Sequence, residues 1–205
     1  MSGKYIKDMA YDVIRDKIIN CEYEPGQALS ELELTKELGF GRTPLHNAFI
    51  RLAGEGLVTL IPKKGVIVNG ISLSDQLEIF DVRIMIEPEV VLKYGDAIDR
   101  AYLKDYIERC RKAKDSDERI SLDEELHSKL KDACRNHYIR NILHDLEGQS
   151  HRNRIYHLNE KRVYVSIEEH IVIAEYLLSG EIENAAASMR SHLQSARDFA
   201  MKKYV

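Results

Sequence analysis

A chain of 205 residues with 44% hydrophobic and 31% charged content can form one or two domains around a real core, which excludes a disordered protein. Its apolar runs are too short to span a bilayer, its first residues are too polar for a signal peptide, and Cys21, Cys110 and Cys134 show neither paired nor metal-type spacing, so a cytoplasmic protein away from the membrane is expected. Net charge is −4, yet within 41–70 only Glu55 opposes Arg42, Arg51, Lys63 and Lys64, so positive charge gathers in one segment.

The spacing of Ile6, Ala10, Val13, Ile14 and Ile18 predicts a helix over 6–20. Tyr23-Glu24-Pro25-Gly26 is a turn, because proline presets φ and glycine permits positive φ. Ser30 with Glu33 three residues later forms a capping box, opening a helix that Gly39 ends near Leu38. The next helix starts at Arg42-Thr43-Pro44, where the missing proline N–H is harmless, and runs to about Gly54. Leu57–Leu60 and Val66–Val68 flank Pro62-Lys63-Lys64-Gly65 as a hairpin. Two short helices followed by a basic strand-turn-strand make a winged helix-turn-helix, with its second helix in the DNA major groove and its wing on the flanking phosphates. Arg42, Thr43, His46 and Asn47 are the candidates for base edges and nearby phosphates, and Arg51, Lys63, Lys64 and Gly65 for the backbone.

Asn69-Gly70 closes this module, which predicts a DNA-binding domain over 1–70 and a second domain over 71–205. Ser72 or Ser74 caps the next helix, and no further strand is visible. Six helices are expected, over 74–94, 97–114, 118–134, 137–158, 161–179 and 181–202, punctuated by Gly95, Asn136, Asn159 and Gly180. The expected fold class is therefore mainly α: an N-terminal winged helix-turn-helix followed by an all-α six-helix bundle.

In the second domain Asp123 and His127 are four apart and share a helical face with Ile120, Leu130 and Cys134, which makes it the inward one. His170 lies between Ile167 and Ala174, and His192 between Met189 and Ala196, again on apolar stripes. Two readings fit. Each histidine is a hydrogen-bonded core residue, or three helices aim metal ligands at the interior, where imidazole with one carboxylate suits Zn, Ni, Mn or Fe. Arg83 falls inside an apolar run with Glu87 four residues on, either as a surface ion pair or as a guanidinium for a carboxylate effector. His137, His144 and His151 recur every seven residues; His151 is the best pocket candidate of the three, and Arg152 and Arg154 beside it could also meet an effector.

The first module carries Tyr23-x-Pro25-Gly26-x-x-Leu29, Leu32-x-Leu34, Leu38-Gly39, Arg42-Thr43-Pro44, Arg51-Leu52, Glu55-Gly56-Leu57-Val58 and Pro62-x-x-Gly65. The second carries Arg83-x-x-Ile86-Glu87-Pro88, Asp123-x-x-Leu126-His127, Asn136, Glu169-His170 and His192. In order and spacing this pattern resembles the GntR family of bacterial transcription factors, in the FadR-type branch with an all-helical FCD effector domain. Six helices in the second domain look more like the VanR-type subdivision than seven would. The resemblance implies that Asp123, His127, His170 and His192 bind a divalent metal, and that the protein is a homodimer whose effector is a small carboxylate bound at or beside the metal. Arg83, His151 and Arg154 are then the effector-binding candidates. Gly41, His46 and Asn47 stand where the family usually has Ser, Arg and Glu, so the operator sequence cannot be borrowed from relatives.

The expected function is a one-component repressor on a near-palindromic double-stranded operator, whose effector shifts the dimer between two arrangements of its DNA-binding heads. The rivals are a regulator for which the metal ion itself is the signal, and a metal-dependent hydrolase, for which no residue is visibly placed as general base.

Overall fold

The computed structural model describes residues 3–62 and 65–202. The chain divides into two units, Met1–Ile71 with His151–Tyr156, and Ser72–Ser150 with His157–Val205.

In the first unit, helix α1 (Gly3–Ile19) packs along α3 (Arg42–Gly54), with α2 (Glu31–Leu38) between them in sequence. The core is Ala10, Ile14 and Ile18 from α1, Leu34 from α2, and Leu45, Phe49 and Leu52 from α3, all at helical spacing. Ser30 caps α2 by accepting from Glu33 N at 3.4 Å, and Gly39 ends it at φ 72. Gly41 precedes α3 and supplies no side-chain cap, as its lack of an acceptor requires. Strands β1 (Ala28–Leu29), β2 (Val58–Ile61) and β3 (Gly65–Val68) form an antiparallel sheet in the order β1-β3-β2. The hairpin register pairs Val58 with Val68 and Ile61 with Gly65. Strand β1 is not among the elements expected from the sequence, because two residues carry no period; it exists because Ala28 and Leu29 find Ile67 and Val66 across the sheet.

The second unit is helical among its described residues: α4 (Leu73–Tyr94), a 3-10 turn (Gly95–Ala97), α5 (Arg100–Lys112), α6 (Ser116–Ala133), α7 (His137–Tyr156), α8 (Glu160–Ser179) and α9 (Ile182–Lys202). The last six residues of α7 belong with the first unit. Four of these helices open on an acceptor side chain in extended backbone: Ser72 for α4, Asp99 for α5, Asp115 for α6 and Asn159 for α8. Asp99 explains why α5 begins later than position 97, because the preceding residues form the 3-10 turn instead. Helix α4 lies along α9, and α8 along α9, α5 and α6. Their shared core holds Val91, Leu103, Tyr106, Leu126, Ile173, Ala174, Met189 and Leu193. Gly95 lets α4 end hard against α8, since a Cβ there would sit 2.8 Å from Leu177 Cδ2. No helix among the described residues is long and apolar enough to cross a membrane.

Gly65 is the tightest of the described glycines in the first unit. Its φ is +108, and a Cβ would lie 2.9 Å from the carbonyl oxygen of Leu29 on β1. Gly65→Ala is expected to destabilise this unit by roughly 1–3 kcal/mol, the usual cost of forced backbone strain. Gly70→Ala, which meets open space, is the control and should leave the melting transition in place. Equal thermal stability of the two variants would contradict this account of the β1–β3 approach.

Candidate functional site

Helix geometry brings four metal-type ligands to one point. Asp123 and His127 stand one turn apart on α6, with His170 on α8 and His192 on α9. One ligand atom from each lies within 4.8 Å of all the others. Asp123 is 2% exposed, His170 0% and His192 3%, so the cluster sits inside the bundle. His170 Nε2 is 3.2 Å from His192 Nε2 and 3.6 Å from Asp123 Oδ1. Ser166 donates its hydroxyl to Asp123 Oδ1 at 2.7 Å.

The surroundings fix which ring nitrogen of each histidine carries the proton. His127 Nδ1 lies 2.6 Å from Glu87 Oε2, and His192 Nδ1 lies 2.7 Å from Glu169 Oε2. Burial works to raise the Glu87 carboxyl, but Arg83 and His127 outweigh it and hold the group well below the usual carboxylate range. Burial likewise opposes ionisation of Glu169, and His192 and Arg162 outweigh it. An ionised carboxylate only accepts, so both Nδ1 atoms donate. His170 Nδ1 faces the Tyr106 hydroxyl at 3.3 Å, and that hydroxyl gives its one proton to Leu122 O at 3.0 Å. Burial pushes the Tyr106 phenol well up, so it keeps that proton. The Tyr106 oxygen therefore accepts from His170 Nδ1.

All three Nε2 atoms then present lone pairs to a common centre beside a carboxylate. His127 Nε2 is buried with no hydrogen-bond partner among the described residues. Burial pushes His192 below its ordinary value, which keeps that imidazole neutral despite Glu169. Acceptors crowded in this way repel unless a cation stands among them. The set fits a divalent ion: three nitrogens, one oxygen, and an outer hydrogen-bond partner for every imidazole.

The effector candidates lie in two places. Arg83 is 7% exposed and gives Nε to Glu87 Oε1 at 2.5 Å, so the i,i+4 pair forms, but in the interior rather than on the helix surface. His151, Arg152 and Arg154 fall in the stretch that belongs with the first unit. There His151 Nε2 is 2.8 Å from Asn20 Oδ1, and the nearly wholly buried Arg152 donates to Asn69 O. Glu169, Tyr106 and Arg162 are the site residues that spacing did not single out; Glu87 is expected from spacing only as the partner of Arg83, not of His127. Glu169 stands beside His170 in sequence but serves His192 on another helix, which no period reveals.

In the first unit, Arg42, Thr43 and His46 are exposed on the first turns of α3. His46 Nδ1 lies 3.3 Å from Glu31 Oε1, and Asn47 donates its amide to Thr43 O at 2.9 Å. Arg51 donates to Asp8 at 3.0 Å and stacks over the Tyr11 ring at 3.6 Å, so it is engaged with α1. Lys63 and Lys64 lie outside the described residues. Gly65 opens β3, paired with Ile61. An open groove beside α3 is lined by Ser30, Glu31, Glu33, His46, Pro62 and Gly65.

The family model for bacterial regulatory proteins of the gntR family matches residues 6–68, and the FCD domain model matches residues 78–195. An uncharacterized HTH-type transcriptional regulator in an unstable DNA locus of Streptomyces ambofaciens is 32% identical, over 96% of this chain and 86% of that protein. The HTH-type transcriptional repressor GlaR of Escherichia coli is 27% identical, over 89% of this chain and 90% of its own. The crystal structure of a GntR protein from Rhodococcus sp. RHA1 superposes with a TM-score of 0.84 at 20% identity, covering 97% of this chain and 99% of the other, which shows the shared fold. A winged helix-turn-helix module before a helical bundle, matched by both models, is the architecture of a regulator and not of an enzyme: the chain belongs to the GntR family of transcriptional regulators, with an FCD domain.

Proposed function

We propose that this protein is a one-component transcriptional repressor whose operator affinity is set by a small organic acid at a divalent metal site. Residues 1–70 act as its DNA-binding domain and 71–205 as its FCD-type effector and dimerisation domain. Six α-helices among the described residues of the second unit favour the VanR-type subdivision. The observation that carries the regulatory half is the convergence of three Nε2 lone pairs and one carboxylate in a buried space.

Asp123, His127, His170 and His192 would hold the ion, tying α6, α8 and α9 together. When bound, the ion supplies a positive centre that orients carboxylate oxygens. Arg83 reaches the same neighbourhood through Glu87 and is the guanidinium we assign to an anion there; His151 and Arg154, which belong with the first unit, are separate candidates. An effector shifts the protein only by binding one arrangement of the homodimer more tightly than the other.

On the operator, α3 enters the major groove of each half-site of a near-palindrome, with half-sites about one helical turn apart. Arg42 and Thr43 meet bases or nearby phosphates, His46 and Asn47 face base edges, and Lys63, Lys64 and the Gly65 backbone meet phosphates, which Arg51 joins by exchanging Asp8 for a phosphate. A second reading, in which the ion itself is the signal, is favoured by the near-complete burial of three of the four ligands. Operator binding that follows free metal with no organic acid present would select it.

Replacing both His170 and His192 with Ala should strip the metal seen by elemental analysis, lower the melting temperature, and remove the response of operator binding to effector. Unchanged metal content and an unchanged response would remove these residues from the site. Arg42→Ala should weaken operator binding by about 1–3 kcal/mol, and Lys63→Ala or Lys64→Ala should each reduce the salt slope of binding by about 1. Fluorescence anisotropy across a salt series reads both; slopes equal to wild type would place the lysines off the DNA. In the metal-free protein, stability should fall as pH drops below about 6.5, the ordinary value of His192, because the unfolded chain takes up that proton more readily than the fold does. Chemical denaturation in chelator at several pH values measures this, and stability that rises on acidification would contradict a neutral His192.

A further inference from the structure

Two chains of side chains run into the histidine cluster, one from α4 and one from α8. Arg83 and Glu87 stand on α4, and Glu87 grips His127 of α6. Arg162 and Glu169 stand on α8, and Glu169 grips His192 of α9. Both have the order guanidinium, carboxylate, imidazole, with the imidazole's Nε2 turned inward. Resting on the metal reading of the proposed function, we propose that Glu87 and Glu169 are positioning residues: each fixes the tautomer and ring orientation of one ligand histidine, and each is itself anchored by its arginine.

The two chains differ in one respect that separates positioning from mere negative charge. Glu87 uses both oxygens: Oε1 takes Arg83 Nε at 2.5 Å and Oε2 takes His127 Nδ1 at 2.6 Å. Glu169 uses one: Oε2 takes Arg162 Nη1 and Nη2, each at 3.0 Å, and His192 Nδ1 at 2.7 Å. Among the described residues no hydrogen bond reaches Glu169 Oε1. A glutamine has one acceptor oxygen and one donor nitrogen. At position 169 its oxygen can take over all three bonds, with its nitrogen turned to the unused side. At position 87 its nitrogen must face a donor, either the guanidinium or the imidazole. One choice loosens the anchor, and the other turns His127 to the wrong tautomer, with Nε2 protonated toward the ion.

Outer partners of this kind commonly alter metal affinity by about 10–100-fold. The same net charge is lost in both variants, so a charge effect alone would move them together. Geometry predicts a split. Glu87→Gln should bind metal more weakly by about 10–100-fold, whereas Glu169→Gln should stay within a few-fold of wild type. Removing the competing donor should repair the first: the double variant Arg83→Met with Glu87→Gln lets the amide oxygen turn to His127.

The test is titration of cobalt(II) into metal-stripped full-length protein, followed by the visible ligand-field bands, for wild type, E87Q, E169Q and R83M/E87Q. Circular dichroism melting of each metal-free variant establishes folding. Should E87Q fail to fold, comparison of R83M/E87Q with E169Q carries the test, since both are expected to bind with wild-type bands. Weak binding or shifted bands in E87Q, with near-wild-type behaviour of E169Q and recovery in the double variant, supports the proposal. Equal behaviour of E87Q and E169Q, a reversed split, or a double variant that binds poorly overturns it while leaving the metal site intact. Wild-type protein that binds no cobalt overturns the metal reading itself, and this proposal with it.

Discussion

Two imidazole nitrogens 3.2 Å apart in a sealed interior are the constraint on which the second unit depends. Each is made an acceptor by what holds its other ring nitrogen: Tyr106 for His170 and Glu169 for His192. A third acceptor, His127 Nε2, and the Asp123 carboxylate share the space. An apolar interior does not screen such a cluster, so its repulsion falls on the packing of α6, α8 and α9 unless a cation relieves it. The bundle holds these side chains in place. Helix α8 is capped at both ends, by Asn159 and by Gly180 at φ 84, and its buried face from Val163 to Leu177 is anchored on both sides of His170. Met189 and Leu193 do the same around His192 on α9.

The arginine-carboxylate pairs extend this constraint outward. Arg83 and Glu87 are both nearly buried, a placement that is costly for either alone and tolerable for the pair. Their value lies in geometry rather than in stability, because the charges cancel while the directions of the hydrogen bonds remain. The result is a cluster in which His127 and His192 are each held by a carboxylate, and α4, the helix that directly succeeds the DNA-binding module in sequence, is tied to it through Glu87.

Much of this is readable from the chain, and the reasons are local. Ser30, Gly39 and Gly180 mark helix ends through chemistry confined to a few neighbours, so their elements fall where expected. Asp123 with His127, and the apolar neighbours of His170 and His192, show inward faces because helical period is itself local. The hidden part is relational. No spacing tells that Glu169 serves His192 rather than His170, or that Arg83 is interior and not solvated. Strand β1 escapes sequence reasoning for the same cause, since its identity lies wholly in β3. In the first unit, Arg51, basic and at the end of α3, also pairs with Asp8 and Tyr11 of α1, a contact between helices that charge counting does not reveal.

The most direct measurement is anomalous diffraction from crystals grown with a divalent metal, recorded on both sides of its absorption edge. A single strong peak is expected about 2.0–2.2 Å from the Nε2 atoms of His127, His170 and His192 and from a carboxylate oxygen of Asp123. A peak bonded through Nδ1, or no peak among these four residues while one appears elsewhere in the chain, would contradict it.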